Sequence, residues 1–284
     1  MNRTRPGLAA LLTCLAMAGF ASMDAMSKFL VRDYPIVQTL WVRYVIFTGF
    51  ALAISGRQAS LRSARPWLQA GRGLLALVEN GVFVLAFAYL PLADTHAIAA
   101  SSPLLVIALS VPLLGEKAGT HRWLAVLAGF AGVLLIVRPG FQTLSWPLAI
   151  PLAGAFLWAA YQVLTRLISR VDQASTTLLW TAVSGLTVTT LLVPTVWQPP
   201  TPAAWLLLAG VGTLGSLSHF ALIKALDHAE AGALQPYAYT LLLWATLLGF
   251  LVFGDVPDIW TMTGAAVVVA SGLYTWRHDR TRLR

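Results

Sequence analysis

The hydrophobic pattern of the chain is a succession of apolar runs, each about 20 residues long, separated by short polar breaks. The runs occupy residues 8–30, 35–56, 68–90, 95–114, 120–138, 146–168, 175–196, 203–226, 230–253 and 258–276. At a rise of about 1.5 Å per residue, a run of that length crosses the roughly 30 Å of a bilayer core as a helix. The breaks carry turn chemistry, among them Tyr34-Pro35, Ser55-Gly56, Leu90-Pro91, Gly115-Glu116, Arg138-Pro139-Gly140, Pro199-Pro200 and Gly254-Asp255. The pattern predicts an all-α polytopic membrane protein with ten transmembrane helices and no linker long enough for a further domain.

The runs also repeat. Ala88-Tyr-Leu-Pro-Leu-Ala-Asp94, closed by Gly115-Glu116, returns as Lys224-Ala-Leu-Asp-His-Ala-Glu230, closed by Gly254-Asp255, at offsets of 136 and 139 residues. Phe20, Met23, Asp24 and Lys28 fall on Trp158, Tyr161, Gln162 and Arg166 at an offset of 138, and Trp41 on Trp180 at 139. A register kept along most of a chain indicates a duplication. It predicts two repeats, 1–139 and 140–284, each of five spans, and an odd span number makes the two repeats cross the membrane in opposite senses.

Composition sharpens this picture. Hydrophobic residues are 58% and charged residues 11% of 284, against about 45–50% and about 25% in soluble domains, so a soluble fold is excluded. Cys14 is the single cysteine, which excludes an intramolecular disulfide, and no Cys/His grouping has metal-ligand spacing; neither metal nor cofactor is expected. The net charge of +8 is spread over loops and forms no nucleic-acid face. It orients the chain instead. With the N-terminus inside, Lys28, Arg32 and Arg138 lie outside, Arg43 lies within a span, and the other fifteen of the nineteen Lys and Arg, Arg72 included, fall at cytoplasmic ends. Both termini are then cytoplasmic. The first 25 residues imitate a signal peptide, with Arg3, Arg5, an apolar run and small residues at 18–22, but the match of the first run to the sixth marks it as a retained span.

An ionised group at mid-bilayer costs at least about 2.5–3.5 kcal/mol, so each one inside a span needs an account. Asp24 and Lys28 stand four apart on one helical face, where they neutralise each other or form a site in which Asp24 exchanges protons. Arg43 lies about 12 Å below the surface, as an interhelical partner of Asp24 or Glu79 or of backbone carbonyls, or as a fixed cation for a substrate carboxylate or phosphate. Glu79, beside Asn80, has no basic residue within four positions on its own helix; it is the candidate for proton coupling, or a protonated acid making one interhelical hydrogen bond. His219 is a structural imidazole or a proton relay. Trp158, Tyr161 and Gln162 in the sixth run, with Gln235, Tyr239 and Trp244 in the ninth, either pack helices or line a cavity for a planar or amphipathic solute. Glycines 129, 132, 210, 212 and 215 let helices approach closely. No Walker lysine, nucleophile motif or spaced carboxylate pair is present, so neither ATP hydrolysis nor other enzyme chemistry is predicted.

Arg72-Gly73-Leu74, Ala88 to Asp94, Ser102-Pro103-Leu104, Leu114-Gly115-Glu116, Gly129-Phe-Ala-Gly132 and Arg138-Pro139-Gly140 resemble the first half of the drug/metabolite transporter superfamily, EamA type. Pro236-Tyr-Ala-Tyr239, Phe253-Gly254-Asp255 and Ala270-Ser-Gly272 are similar to its closing repeat. The resemblance covers nearly the whole chain. It implies a ten-helix carrier of the bacterial inner membrane whose cavity is built mostly from the first, third, fourth, sixth, eighth and ninth helices. Such carriers move a small organic metabolite by alternating access, coupled to protons or to exchange. Asp24-Ala-Met-Ser-Lys28 is similar to the subgroup of riboflavin and S-adenosylmethionine carriers and metallophore exporters. Glu79-Asn80 departs from the small or apolar residues of the family and is thereby a candidate for substrate choice. Export of an amino acid or metallophore-like compound, import of a vitamin such as riboflavin, and a non-transporting receptor or assembly subunit stay open. The expected partners are the solute, protons, the lipid bilayer and a second copy of the chain in a homodimer.

Overall fold

The computed structural model describes residues 6–56, 60–115, 119–137, 146–226, 228, 234 and 237–282. The described residues contain helices and no strand. In chain order the helices are α1 (Pro6–Asp33), α2 (Ile36–Ser55), α3 (Pro66–Tyr89), α4 (Leu92–Ala99), α5 (Ser102–Leu114), α6 (Thr120–Val137), α7 (Ala149–Ile168), α8 (Ala174–Leu192), α9 (Pro202–Leu226), α10 (Thr240–Leu248) and α11 (Ile259–Arg282). Among the described residues, eight segments are long and apolar enough to cross a membrane, α4 and α5 together counting as one. That is two fewer than the hydropathy pattern predicts. The ninth run appears as the shorter apolar stretch Thr240–Phe253, since most of 227–236 lies outside the described residues. The tenth appears as α11, 24 residues long, whose last turns are polar and basic from Arg277 onward.

Proline explains the main breaks. Pro35 follows the end of α1 and starts α2, and Pro91 separates α3 from α4. The run at 95–114 is not one continuous helix but two, parted at Ala100–Ser101, because Pro103 in the first turn of α5 lacks the N–H that continuing the helix would use. The matching run is interrupted by a turn at Tyr239, 138 residues after Ser101. Broken helices at corresponding places in two halves are the usual pointer to a carrier's binding region.

The helices pack in pairs that map onto one another when the first five runs are exchanged with the last five. Thus α1 on α9 corresponds to α7 on α3, α2 on α9 to α8 on α3, and α1 on α10 to α7 on α4 and α5, while α2 on α8 and α6 on α11 correspond to themselves. Not every packing has an equal counterpart among the described residues: α1 lies along α3, but α9 does not lie along α7 in the same way, and the packing of α5 on α6 is not matched between α10 and α11. Small residues make these crossings possible, since lipid provides no hydrophobic drive between helices and close approach must supply the attraction. A Cβ on Gly73 would stand 2.6 Å from Ser184 of α8, and one on Gly212 would stand 2.5 Å from Ile46 of α2. Gly132 and Gly264 face each other across α6 and α11, each too close to the other's carbonyl oxygen (2.8 and 2.5 Å) to carry a side chain.

Apolar cores fill the same crossings. Leu40, Tyr44, Phe47, Leu77 and Val84 join α2, α3 and α8, and Met23, Leu30, Val42, Leu208 and Val211 join α1, α2 and α9. Arg72 corrects the expectation that it is a loop charge at the cytoplasmic surface. It is the seventh residue of α3 and has no exposed surface. Its Nη2 donates to the Thr177 carbonyl at 2.6 Å and to the Thr181 hydroxyl at 2.7 Å, and its guanidinium lies over the Tyr161 ring at 5.1 Å. A buried arginine saturated by neutral acceptors avoids most of the cost of an unpaired charge.

Two sets of hydrogen bonds tie the halves together at opposite ends of α8. At one end the Gln38 side chain makes two bonds to the backbone of Gln198, Nε2 donating to its carbonyl and Oε1 accepting from its N–H, both at 2.8 Å. The Tyr34 hydroxyl accepts from Thr201 N–H nearby, at 3.1 Å. At the other end Asp172, in the turn between α7 and α8, accepts from the Ser63 hydroxyl, from Ala64 N–H at 2.9 Å and from the Gln69 amide at 2.8 Å. Burial alone would raise the Asp172 carboxyl, but these donors outweigh it and hold it below the usual carboxylate range. The two repeat-matched tryptophans follow the same rule: Trp41 donates to Thr190 at 3.0 Å and Trp180 to the Leu61 carbonyl at 3.2 Å.

Candidate functional site

The ionisable groups of α1, α2 and α3 come together in the interior. Glu79 is 6% exposed, so it faces the bundle and not lipid, and it lies within electrostatic reach of both Arg43 and Asp24. Arg43 is placed by α9: a Cβ on Gly215 would touch its Nε at 3.7 Å. The same guanidinium is within electrostatic reach of His219 and Tyr44. Among the described residues, no ion pair within 4 Å joins Arg43 to Glu79 or to Asp24. Of the readings the sequence leaves open for Arg43, a direct ion pair with Asp24 or Glu79 is therefore not the one formed here.

Asp24 and Lys28 do not neutralise each other either. Lys28 reaches across to Asp255 in the turn after α10, at 2.7 Å, with its ammonium also 4.7 Å from the Phe253 ring. Asp24 instead has His96 of α4 beside it, Nε2 to Oδ2 3.2 Å. That contact has the distance of an ion pair but not the alignment of a hydrogen bond. The α1 helix thus sends two charged side chains to two different partners, one of them in the opposite half. Four residues on one face is a permissive spacing, and nearer partners across helices displace it.

Aromatic groups surround the centre. His219 of α9 meets Phe20 of α1 edge-on at 4.9 Å and Phe47 of α2 at 5.6 Å. Trp158 stacks on Tyr161 at 5.5 Å, and Tyr161 carries Arg72 on its other contact. The remaining candidates scatter. The Asn80 amide donates to the Ala76 carbonyl of its own helix at 2.6 Å. Gln162 is exposed, and Trp244 is 38% exposed. Tyr239 packs against α11, since a Cβ on Gly272 would stand 1.7 Å from its hydroxyl. Gln235 lies outside the described residues. The assembled centre is therefore Asp24, Arg43, Glu79, His96 and His219 with Phe20, Phe47 and Tyr44, drawn from α1, α2, α3, α4 and α9.

Sequence reasoning passed over His96 and Asp255. The repeat register held a signal for the second: Lys28 matches Arg166 and Asp255 matches Glu116, so each half carries a basic residue late in its first span and an acidic residue after its fourth. His96 offered no such signal, because only the break between α4 and α5 determines how α4 lies against α1. Among the described residues no group of three or more His, Cys, Asp and Glu is placed to hold a metal ion.

Residues 7–138 and 145–276 each match the EamA-like transporter family. The chain belongs to that family. Its similarity to individual EamA proteins extends over nearly its full length. A riboflavin transporter of Rhizobium johnstonii is 27% identical over 290 residues, covering 99% of this chain and 95% of that protein. An S-adenosylmethionine uptake transporter of Rickettsia bellii is 24% identical, with 92% and 90% covered. The pseudopaline exporter CntI of Pseudomonas aeruginosa is 27% identical, with 92% and 93% covered. A protein solved by crystallography superposes with a TM-score of 0.65 over 100% of both chains at 20% identity, a likeness of fold. EamA membership makes this a multi-pass membrane protein of a transporter family, and the relatives named here are transporters of small metabolites.

Proposed function

We propose that this EamA protein is a secondary active transporter of a small organic metabolite in the bacterial inner membrane. It works by alternating access between two inverted five-helix repeats, 1–139 and 140–284, with ten crossings and both termini cytoplasmic. The observation that carries this proposal is that Asp24, Arg43 and Glu79 lie within electrostatic reach of one another in the interior, where α1 and α2 cross α9 of the other half and α3 lies along α1. Charged groups placed in hydrocarbon without close mutual pairing belong to a path for solute or protons.

The division of labour follows from position. Arg43 is the fixed cation for an electron-rich part of the solute, Glu79 is the acid that binds and releases the coupling proton, and Asp24 with His96 sets the charge around it. Phe20, Phe47 and His219 offer ring faces and edges to a flat solute. The unmatched packing of α1 along α3 supports a two-state cycle: in a carrier of two inverted repeats, the opposite state arises when α7 and α9 adopt that packing and α1 and α3 give it up.

The test is uptake and efflux in proteoliposomes with riboflavin, S-adenosylmethionine and pseudopaline, with and without a pH gradient. Gradient-driven movement of at least one solute is expected. Glu79→Gln is expected to abolish the gradient dependence while leaving solute exchange; gradient-driven transport that survives this substitution removes Glu79 from coupling. No movement of any solute in either direction overturns the transport reading.

A further inference from the structure

Away from the ionisable centre, α6 and α11 leave a groove of about 400 Å³ between them, within the range of roughly 300–1,000 Å³ found for small-molecule sites. Leu124, Ala125 and Ala128 form one wall and Val267, Ala270 and Tyr274 the other. Leu124 and Tyr274 are 58% and 51% exposed, so the groove opens outward. One turn further along, the helices touch backbone to backbone at Gly132 and Gly264, and the small side chains of Ala125, Ala128 and Ala270 keep the walls of the groove low.

The chemistry changes at one end. One turn before Leu124 stands His121, and one turn after Tyr274 stand Arg277 and His278. The two imidazoles stack at 4.0 Å with an 18° angle between planes, and His278 lies 6.0 Å from the Tyr274 ring. Arg277 is exposed. In sequence, the segments flanking these helix ends carry Lys117, Arg122, Arg277, Arg280, Arg282 and Arg284 against only Glu116 and Asp279.

We propose that the groove is a binding site for an anionic phospholipid. An acyl chain lies along Leu124, Ala128, Val267 and Ala270, and the headgroup phosphate lies against Arg277 and the His121–His278 pair. Basic pockets between spans that meet a hydrocarbon cleft have the two chemistries such a molecule presents, and each Lys or Arg near the surface is worth about fivefold in its retention. A second copy of the chain is the poorer occupant. A two-fold dimer in one membrane would set each basic end against its own equivalent at the same depth, and like charges oppose that.

The experiment is native mass spectrometry of the full chain in mild detergent, offered equal amounts of phosphatidylglycerol and phosphatidylcholine with identical acyl chains. The wild-type protein is expected to retain the anionic lipid about fivefold better. Arg277→Ala is expected to bring that ratio close to one. Ala128→Trp, which fills the groove from an exposed position, is expected to lower retention of both lipids. Equal retention by the wild type overturns the proposal, as does a preference unchanged in Arg277→Ala or retention unchanged in Ala128→Trp. A disulfide-linked dimer formed through Ala128→Cys in a Cys14→Ser background would assign the groove to a second copy and overturn it too.

Discussion

The two ends of α8 are held by hydrogen bonds of opposite character. At the Gln38 end everything is neutral: an amide pairs with a peptide group, and a phenol accepts from another. At the Asp172 end a carboxylate gathers three donors, and two turns away a fully buried guanidinium meets carbonyl and hydroxyl oxygens. The repeat relates these ends in position but not in chemistry. An amide clasp is indifferent to pH and salt and its net worth is about 1 kcal/mol per bond, whereas charge-assisted bonds are stronger and depend on protonation. One end of the molecule is thus built to respond to its surroundings and the other is not.

The largest expected effect on this contrast comes from Arg72→Ala, which empties a buried site and removes the bonds its guanidinium makes to the Thr177 carbonyl and the Thr181 hydroxyl. A loss of about 3 kcal/mol is expected, read as a fall in thermal unfolding temperature in detergent. Gln38→Ala follows, with about 1–2 kcal/mol lost equally at every pH between 4 and 8; a pH-dependent loss there would erase the distinction between the ends. Asp172→Asn comes next, at about 0.5–1 kcal/mol near neutrality, because the site is partly open to water. Its sign with pH is fixed by the depressed carboxyl: the stabilisation is fully present above the unfolded value of about 4 and disappears as pH falls through the lower folded value. The difference between wild type and Asp172→Asn is therefore expected to shrink on acidification below pH 4, and a difference that grows would contradict the clasp. The smallest effects belong to Trp41→Phe and Trp180→Phe, about 0.5 kcal/mol each and similar to one another, since each removes one exposed bond to the opposite half.

Much of this architecture is legible in the sequence because its causes are local or periodic. Apolar runs, prolines and repeated landmarks such as Trp41 and Trp180 are visible without coordinates, and the matched tryptophans do perform matched tasks. The break between α4 and α5 is also local, written in Ser102-Pro103, yet a hydropathy run averages it away. The pairing of charges is another matter. Asp24 and Lys28 look like partners because helical spacing is the only geometry a sequence displays, while His96 and Asp255 become partners through the tilt of α4 and the position of a turn 227 residues distant. Arg72 escapes for a related reason: a basic residue near a span end reads as topology until α7 and α8 are seen to enclose it. Of the candidate site, Asp24, Arg43, Glu79 and His219 converge as one centre, whereas Asn80, Gln162 and Tyr239 are drawn to their own backbone, to the surface and to helix packing.

The clasp at Asp172 also has a consequence for biogenesis. Ser63 and Asp172 are 109 residues apart, and Arg72 is 105 residues ahead of the carbonyl it needs. At about 5–20 residues per second of synthesis, the first half sits in the insertion machinery for roughly 5–20 seconds with an unsheltered guanidinium beside hydrocarbon. Nascent chains arrested before Thr177 should accordingly be the ones that quality-control proteases clear fastest, and chains released after it should survive.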